Sequence, residues 1–182
     1  MIPDIISLLV GKDISDASAY IIQGWQSGDV NMTGTLISAN NVYSICSGTV
    51  INVGKDNKNN LYSVSVEYEY AIWIRYCMLK SVNVKVGDEV DRGDKIGNAY
   101  NNALRVEYCT DEESDFPFRC GEWELYKQDP MIILSGELEL PDLDGEVYIE
   151  DLDEDDDDEE ENIFEEIEPS PNYEDEENGE EG

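Results

Sequence analysis

Apolar and polar residues alternate with a period of two through much of the chain before residue 137, the pattern of strands with one buried face. Leu61-Tyr62-Ser63-Val64-Ser65-Val66-Glu67-Tyr68 alternates cleanly, and Ala71-Ile72-Trp73-Ile74-Arg75-Tyr76-Cys77-Met78 follows it across a hairpin-like link at Glu69-Tyr70. Thr35-Leu36-Ile37, Asn41 to Cys46, Thr49 to Val53, Ala103 to Tyr108 and Trp123 to Tyr126 are shorter runs of the same kind. They are separated by turn-rich segments, of which Gly54 to Asn60 is the longest polar one. Many short strands at turn-spaced intervals predict a mainly β domain, a sandwich or barrel, over 32–136.

The stretch Val82 to Gly97 is the most regular. Val82, Val84 and Val86 alternate as one buried face of a strand should, and Gly87-Asp88 turns the chain. Val90 opens a second short run, Gly93-Asp94 turns again, and Ile96 closes it. The pattern predicts two short strands around a tight turn. Ahead of the β region, residues 1–31 read as an N-terminal arm. Asp13 to Gln26 forms a candidate helix, with Asp13 or Ser15 as N-cap and a loose stripe of Ala17, Tyr20, Ile21 and Trp25. An irregular arm is the alternative. The apolar run in the first eleven residues carries Pro3 and Asp4 instead of the basic start of a signal peptide. It is expected to belong to the fold, with synthesis in the cytoplasm.

Composition changes the picture past Gly136. The chain has 182 residues, 44 acidic against 11 basic, and no histidine. Residues 137–182 hold 25 of the acidic residues and none of the basic ones. The β region therefore has an ordinary charge for a soluble domain, and 137–182 is an acidic tail. Glu137 to Leu140 and Gly145 to Ile149 still alternate, so one edge strand is expected there. Asp151 to Glu161 is almost pure acid, cannot build a core, and is expected to be disordered. Within the tail, Ile163, Phe164 and Ile167 would share one face of a helical turn, a candidate docking motif for a protein partner. A chance apolar cluster in a solubilising tail is the alternative. So acidic a balance argues against direct contact with nucleic acid phosphates or anionic membranes, and no run of 18 apolar residues occurs to span a bilayer.

Four cysteines, Cys46, Cys77, Cys109 and Cys120, show no CxxC spacing. They are expected to be reduced, with at least two in the core. A bridge between Cys109 and Cys120 is conceivable in an oxidising exterior.

The ordered set of strands and turns from Met32 to Leu134 resembles the LytM-type domain of the M23 zinc endopeptidases, which cut peptide cross-links in bacterial cell walls. The residues that carry the resemblance are Val42 through Gly48-Thr49-Val50, Val64-Ser65-Val66 and Tyr76-Cys77-Met78-Leu79. Val84 to Gly97, Ala103-Leu104-Arg105-Val106-Glu107 and Asp129-Pro130 complete the order. In that family a His and an Asp of a His-x-Gly-x-Asp motif and the second His of His-x-His hold zinc, and two further histidines assist the metal-bound water. With Gly34 as the motif glycine, Met32 stands at the first His and Leu36 at the Asp. Met78 replaces the His of Tyr-x-His-Leu, and Ala103 and Arg105 replace the His-x-His pair. A catalytic zinc needs three protein ligands and an open position, which these residues do not supply. Alternation sends Cys77 to the face opposite Met78, which argues against a site rebuilt from cysteines. Cys77-Met78-Leu79-Lys80 also looks superficially like the modified-lysine motif of biotinyl carrier domains, but it runs straight into the Val82 strand, and Lys80 is expected to be a solvated side chain.

The resemblance implies a degenerate LytM-like sandwich that is not an enzyme, with no cofactor and no metal. The expected role is a structural or binding module, a bacteriophage tail or virion component with protein partners, among them other virion proteins or a basic protein. The competing expectation is a cytoplasmic regulator that works through its acidic tail, for instance as a nucleic-acid mimic. An active zinc peptidase with atypical ligands is the third.

Overall fold

The structure, a computed structural model, describes residues 5–25 and 33–141, and these lie within one compact unit of the chain, Met1–Gly145. The alternating segments become eleven strands among the described residues. They are β1 (Ile21–Gln23), β2 (Thr35–Ser38), β3 (Asn41–Tyr43), β4 (Gly48–Lys55), β5 (Tyr62–Glu69) and β6 (Ile72–Val82). Then come β7 (Glu89–Val90), β8 (Lys95–Ala99), β9 (Ala103–Thr110), β10 (Pro117–Cys120) and β11 (Trp123–Gln128). Two short helices, α1 (Ile5–Val10) and α2 (Met131–Leu134), flank them.

The strands pair in the order β1-β2-β9-β6-β5-β4-β7, with β8 bridging β3 and β6, and with the β10–β11 hairpin attached to β9. All of these pairs are antiparallel. The long strands β5, β6 and β9 form the centre, and their alternation separates two faces. Val64, Val66, Ile74, Tyr76, Leu79, Leu104 and Val106 enter the main core with Leu9, Ile37, Val42, Ile45 and Ile96. On the other face a smaller core gathers Ala71, Trp73, Cys109 and Leu125, with Ile51, Phe118, Cys120 and Trp123 packed against it. Tyr76 is fully buried, and its hydroxyl accepts from the Ile45 N–H at 3.0 Å.

The mainly β reading of the sequence agrees with this architecture, while four local expectations require correction. Over the described part of the candidate helix Asp13–Gln26, residues 13–25, there is no α-helix: Asp16 caps a single 3-10 turn, Ala17–Tyr20, through its hydrogen bonds to Ser18, and Ile21 enters β1. Pairing of β1 with β2 satisfies the backbone there, and tertiary context overrides the weak helical stripe. The helix of the arm lies earlier, where Ile5, Ile6, Leu9 and Val10 are buried.

The Val82–Gly97 stretch is not a plain hairpin. β6 ends at Val82, the Asn83 N–H donates to the Ile96 carbonyl, and the chain then leaves the sheet. β7 pairs with β4, while β8 returns to β6 and β3. Val82 and Val84 are half-buried, but Val86 is 58% exposed because no strand continues beneath it. The turns hold as expected, with Gly87 and Gly93 both at φ 93°.

Glu137–Leu140 forms no strand among the described residues; instead the segment packs as far as Pro141. Leu140 is buried, its carbonyl accepts from Arg92 at 2.7 Å, and the Pro141 carbonyl accepts from the Tyr68 hydroxyl at 2.6 Å. Gly145–Ile149 lies outside the described residues, as does most of the acidic tail.

Gly97 marks where β6 and β8 press together. A Cβ there would collide with the Ser81 carbonyl oxygen, so neither strand could keep its place. Gly97→Ala is expected to destabilise the domain by about 1–3 kcal/mol, as overpacking does. Urea denaturation followed by circular dichroism measures it, and an unchanged midpoint would contradict the close approach.

Candidate functional site

The face of the central sheet opposite the main core carries Arg75 and Cys77 from β6, Arg105 and Glu107 from β9, Ser65 from β5 and Lys127 from β11. Period-two alternation puts Arg75 with Cys77, and Arg105 with Glu107, on one side. The β6–β9 register sets Arg75 opposite Glu107 and Cys77 opposite Arg105. The β2–β9 register sets Leu36 opposite Arg105 from the other side. Gly34 precedes β2 here, and a Cβ on it would press on the Val106 carbonyl and on the side chains of Arg105 and Glu107. The glycine lets β2 lie close against β9.

Glu107 is the centre of the arrangement. Its side chain is 1% exposed and is paired with Arg75 at 2.8 Å, Lys127 at 2.9 Å and Arg105 at 3.5 Å. Arg75 Nη1 donates to both carboxylate oxygens, and Arg75 Nε donates to Ser65 Oγ at 3.2 Å. The Arg75 guanidinium also lies over the Phe118 ring, 4.1 Å from its centroid. Lys127 Nζ donates to Thr33 Oγ1 at 3.1 Å. Burial by itself would raise the Glu107 carboxyl, but Arg75, Lys127 and Arg105 outweigh it and hold the group below the usual carboxylate range.

The depressed Glu107 gives a pH prediction. Its folded-state pKa lies below the ordinary value of 4.5, so its stabilising contribution is complete above that pH. It is lost as pH falls through the lower folded value. Denaturation midpoints measured down the acid range are expected to fall more steeply for the native chain than for Glu107→Gln. Parallel curves would show that the ion pairs carry no such linkage.

Met78 interrupts β6. It adopts φ 68°, and the β5 partner shifts from Tyr62↔Leu79 to Ser63↔Cys77 around it. This bulge corrects the alternation argument for Cys77. Met78 and Cys77 line the same pocket, because the extra residue is absorbed between Cys77 and Leu79. Cys77 Sγ lies 3.4 Å from Glu107 Oε1. Burial, then the neighbouring Glu107, pushes the Cys77 thiol up to about 11, so it stays protonated at neutral pH. All four cysteines are free, and Cys46, Cys77 and Cys109 are buried.

The pocket encloses about 440 Å³ between this face and the β4–β5 connection, with Lys55, Tyr62, Arg75, Met78 and Arg105 among its walls. Of the family positions, Met78 and Arg105 thus meet at one pocket, and Leu36 sits across from Arg105. Ala103 lies further along β9, opposite Ser38. Met32, Ile163, Phe164 and Ile167 lie outside the described residues. Lys80 is exposed, as expected of a solvated side chain. Arg75 and Lys127 were not singled out from sequence. A lone charge in the apolar run Ile72 to Leu79 was the available signal for Arg75, whereas Lys127 had none.

The donor set does not fit a zinc ion. Among the described residues no three His, Cys, Asp or Glu side chains converge. Leu36 and Arg105 offer no ligand atom for zinc, Met78 offers only a thioether, and the Glu107 carboxylate is already matched by three cations. What the site can do is present positive charge on a rigid sheet.

Residues 30–110 match the family model described as Peptidase family M23. The fold is also that of solved relatives. Lysostaphin from Staphylococcus simulans, an antimicrobial peptidase, aligns with a TM-score of 0.50 at 23% identity, over 62% of this chain and 48% of that one. The catalytic domain of the same peptidase, crystallised in the absence of phosphate, aligns at 24% identity and a TM-score of 0.47, over 64% of this chain and 90% of the domain. A zinc-containing peptidase from Vibrio cholerae aligns at 27% identity and a TM-score of 0.43, over 48% of this chain and 32% of its own. The chain spans less than half the length of the two lysostaphin structures that include more than the catalytic domain. No curated protein matches it in sequence.

Proposed function

We propose that this M23-type β domain is a non-catalytic binding or structural module. The observation that carries the reading is Arg105. It stands where the family resemblance implies a zinc-binding histidine, and it belongs to an ionic network around Glu107 that takes up the face where the ligands would converge. The scaffold keeps its turns, its buried faces and the glycine beside β2, while the ligand positions carry Leu36, Met78 and Arg105. Purified full-length protein is expected to hold no stoichiometric zinc and to leave cell-wall preparations intact in a zymogram. Stoichiometric metal together with clearing would overturn the reading.

The finer form of the proposal is a bacteriophage tail or virion component, bound to other proteins of the particle. It is supported by the wall-enzyme scaffold without the wall-enzyme ligands. Mass spectrometry of purified particles tests it, and absence of the chain from them would remove it. A second reading is favoured by the 25 acidic residues beyond Gly136, which would dock on a basic partner. Shortening the chain to Gly145 separates the two, since binding through the β domain survives the cut and binding through the tail does not.

A further inference from the structure

Charge does not balance on the site face. Arg75, Arg105 and Lys127 converge on one carboxylate, Glu107, which leaves two positive charges over. Lys55 and Asp56 line the pocket with one charge of each sign, and the guanidinium groups of Arg75 and Arg105 line it as well. Arg75 is well satisfied, but Arg105 is not. Among the described residues Arg105 donates no hydrogen bond, its buried Nε has no partner, and its only ionic contact is the 3.5 Å approach to Glu107. Its side chain is 40% exposed and lines the pocket. The buried Nε is closed to an outside acceptor, so a ligand would have to meet the terminal nitrogens, on the part of the side chain that is exposed.

We propose that this pocket binds a carboxylate presented by a peptide, with Arg105 as the recognising group. The proposal rests on the reading of the domain as a binding module and names what the module takes. A guanidinium fork fits a carboxylate in two parallel hydrogen bonds, which an amide cannot reproduce. The Arg75–Glu107 pair behind it fixes the floor, and Tyr62 and Met78 offer apolar flanks to the residues on either side of the acid. Polyanions are disfavoured, because a chain of net charge −33 repels them at range, whereas one carboxylate meets only the local positive field.

Isothermal titration of the full chain at low salt tests the proposal. The probes are acetyl-Ala-Ala-Glu-Ala-Ala-amide against its Gln counterpart, acetyl-Ala-Ala-Ala with a free against an amidated C-terminus, and inorganic phosphate. Carboxylate probes are expected to bind at least about tenfold more tightly than their amide counterparts, the scale of a charge-assisted pair. Which probe binds tells a side-chain acid from a chain terminus. Arg105→Gln should abolish the preference and Arg105→Lys should keep part of it, since charge remains but the fork is gone. Circular dichroism of both variants checks that they fold. Equal binding of acid and amide probes, an unchanged preference in Arg105→Gln, or binding of phosphate alone would overturn the assignment. Failure of every carboxylate probe in a protein that also lacks zinc and hydrolysis removes this assignment and leaves the module reading; hydrolysis removes the module reading itself.

Discussion

Glu107→Gln is expected to destabilise the β domain by about 3–5 kcal/mol, the loss that follows when one partner of a buried ion pair is removed. Glu107 answers Arg75 and Lys127, whose side chains are only 12% and 20% exposed. With the carboxylate gone, both cations face each other and Arg105 without a counter-charge. The amide still accepts a hydrogen bond, so the variant isolates charge from shape. Chemical denaturation of the purified variant measures the effect. A combined change, Arg75→Met and Lys127→Met with Glu107→Leu, should recover most of the stability, because it leaves neither of these buried cations without a counter-charge. A single variant as stable as the native chain would mean that the network is solvated and the site is not the rigid floor described above.

Trp73→Ala is expected to cost about 3–5 kcal/mol, as removal of a fully buried large aromatic does. Trp73 is 1% exposed and holds the smaller core together. It meets Trp123 edge-on at 5.5 Å and Phe118 at 6.1 Å, and its Nε1 donates to Glu67 Oε2 at 3.1 Å. Phe118 in turn carries the Arg75 guanidinium. The cavity therefore opens beside the site, and the packing that holds Arg75 over its ring loosens. Denaturation midpoints give the stability loss. The same samples should show weaker discrimination between acid and amide peptides. Trp73→Phe, which keeps a ring in the cavity, should restore part of both.

The central strands were legible because their side chains report their surroundings every second residue. Val64-Ser65-Val66 and Leu104-Arg105-Val106 each place one face in the main core and the other at the site. The arm was misread because Ala17, Tyr20 and Ile21 are compatible with a loose helix, while pairing with β2 is invisible in local sequence. Val86 was misread for a related reason: alternation shows that a strand is possible, but burial needs a neighbour, and β7 goes to β4 instead. Alternation fails at the step from Cys77 to Met78: Cys77 keeps the parity of Arg75, while Met78, as the bulged residue, lines the same pocket.

The amino-acid sequence by itself determined the mainly β class, the turns at Gly87 and Gly93, the acidic character of residues 137–182 and the absence of histidine. Each of these is a property of a residue or of its near neighbours. Tertiary structure alone decided that Arg75, Arg105 and Lys127, which come from three strands, share the single carboxylate of Glu107. Coulomb attraction in a buried place depends on separation through space, and separation through space is set by strand register, which a linear pattern of charges does not contain.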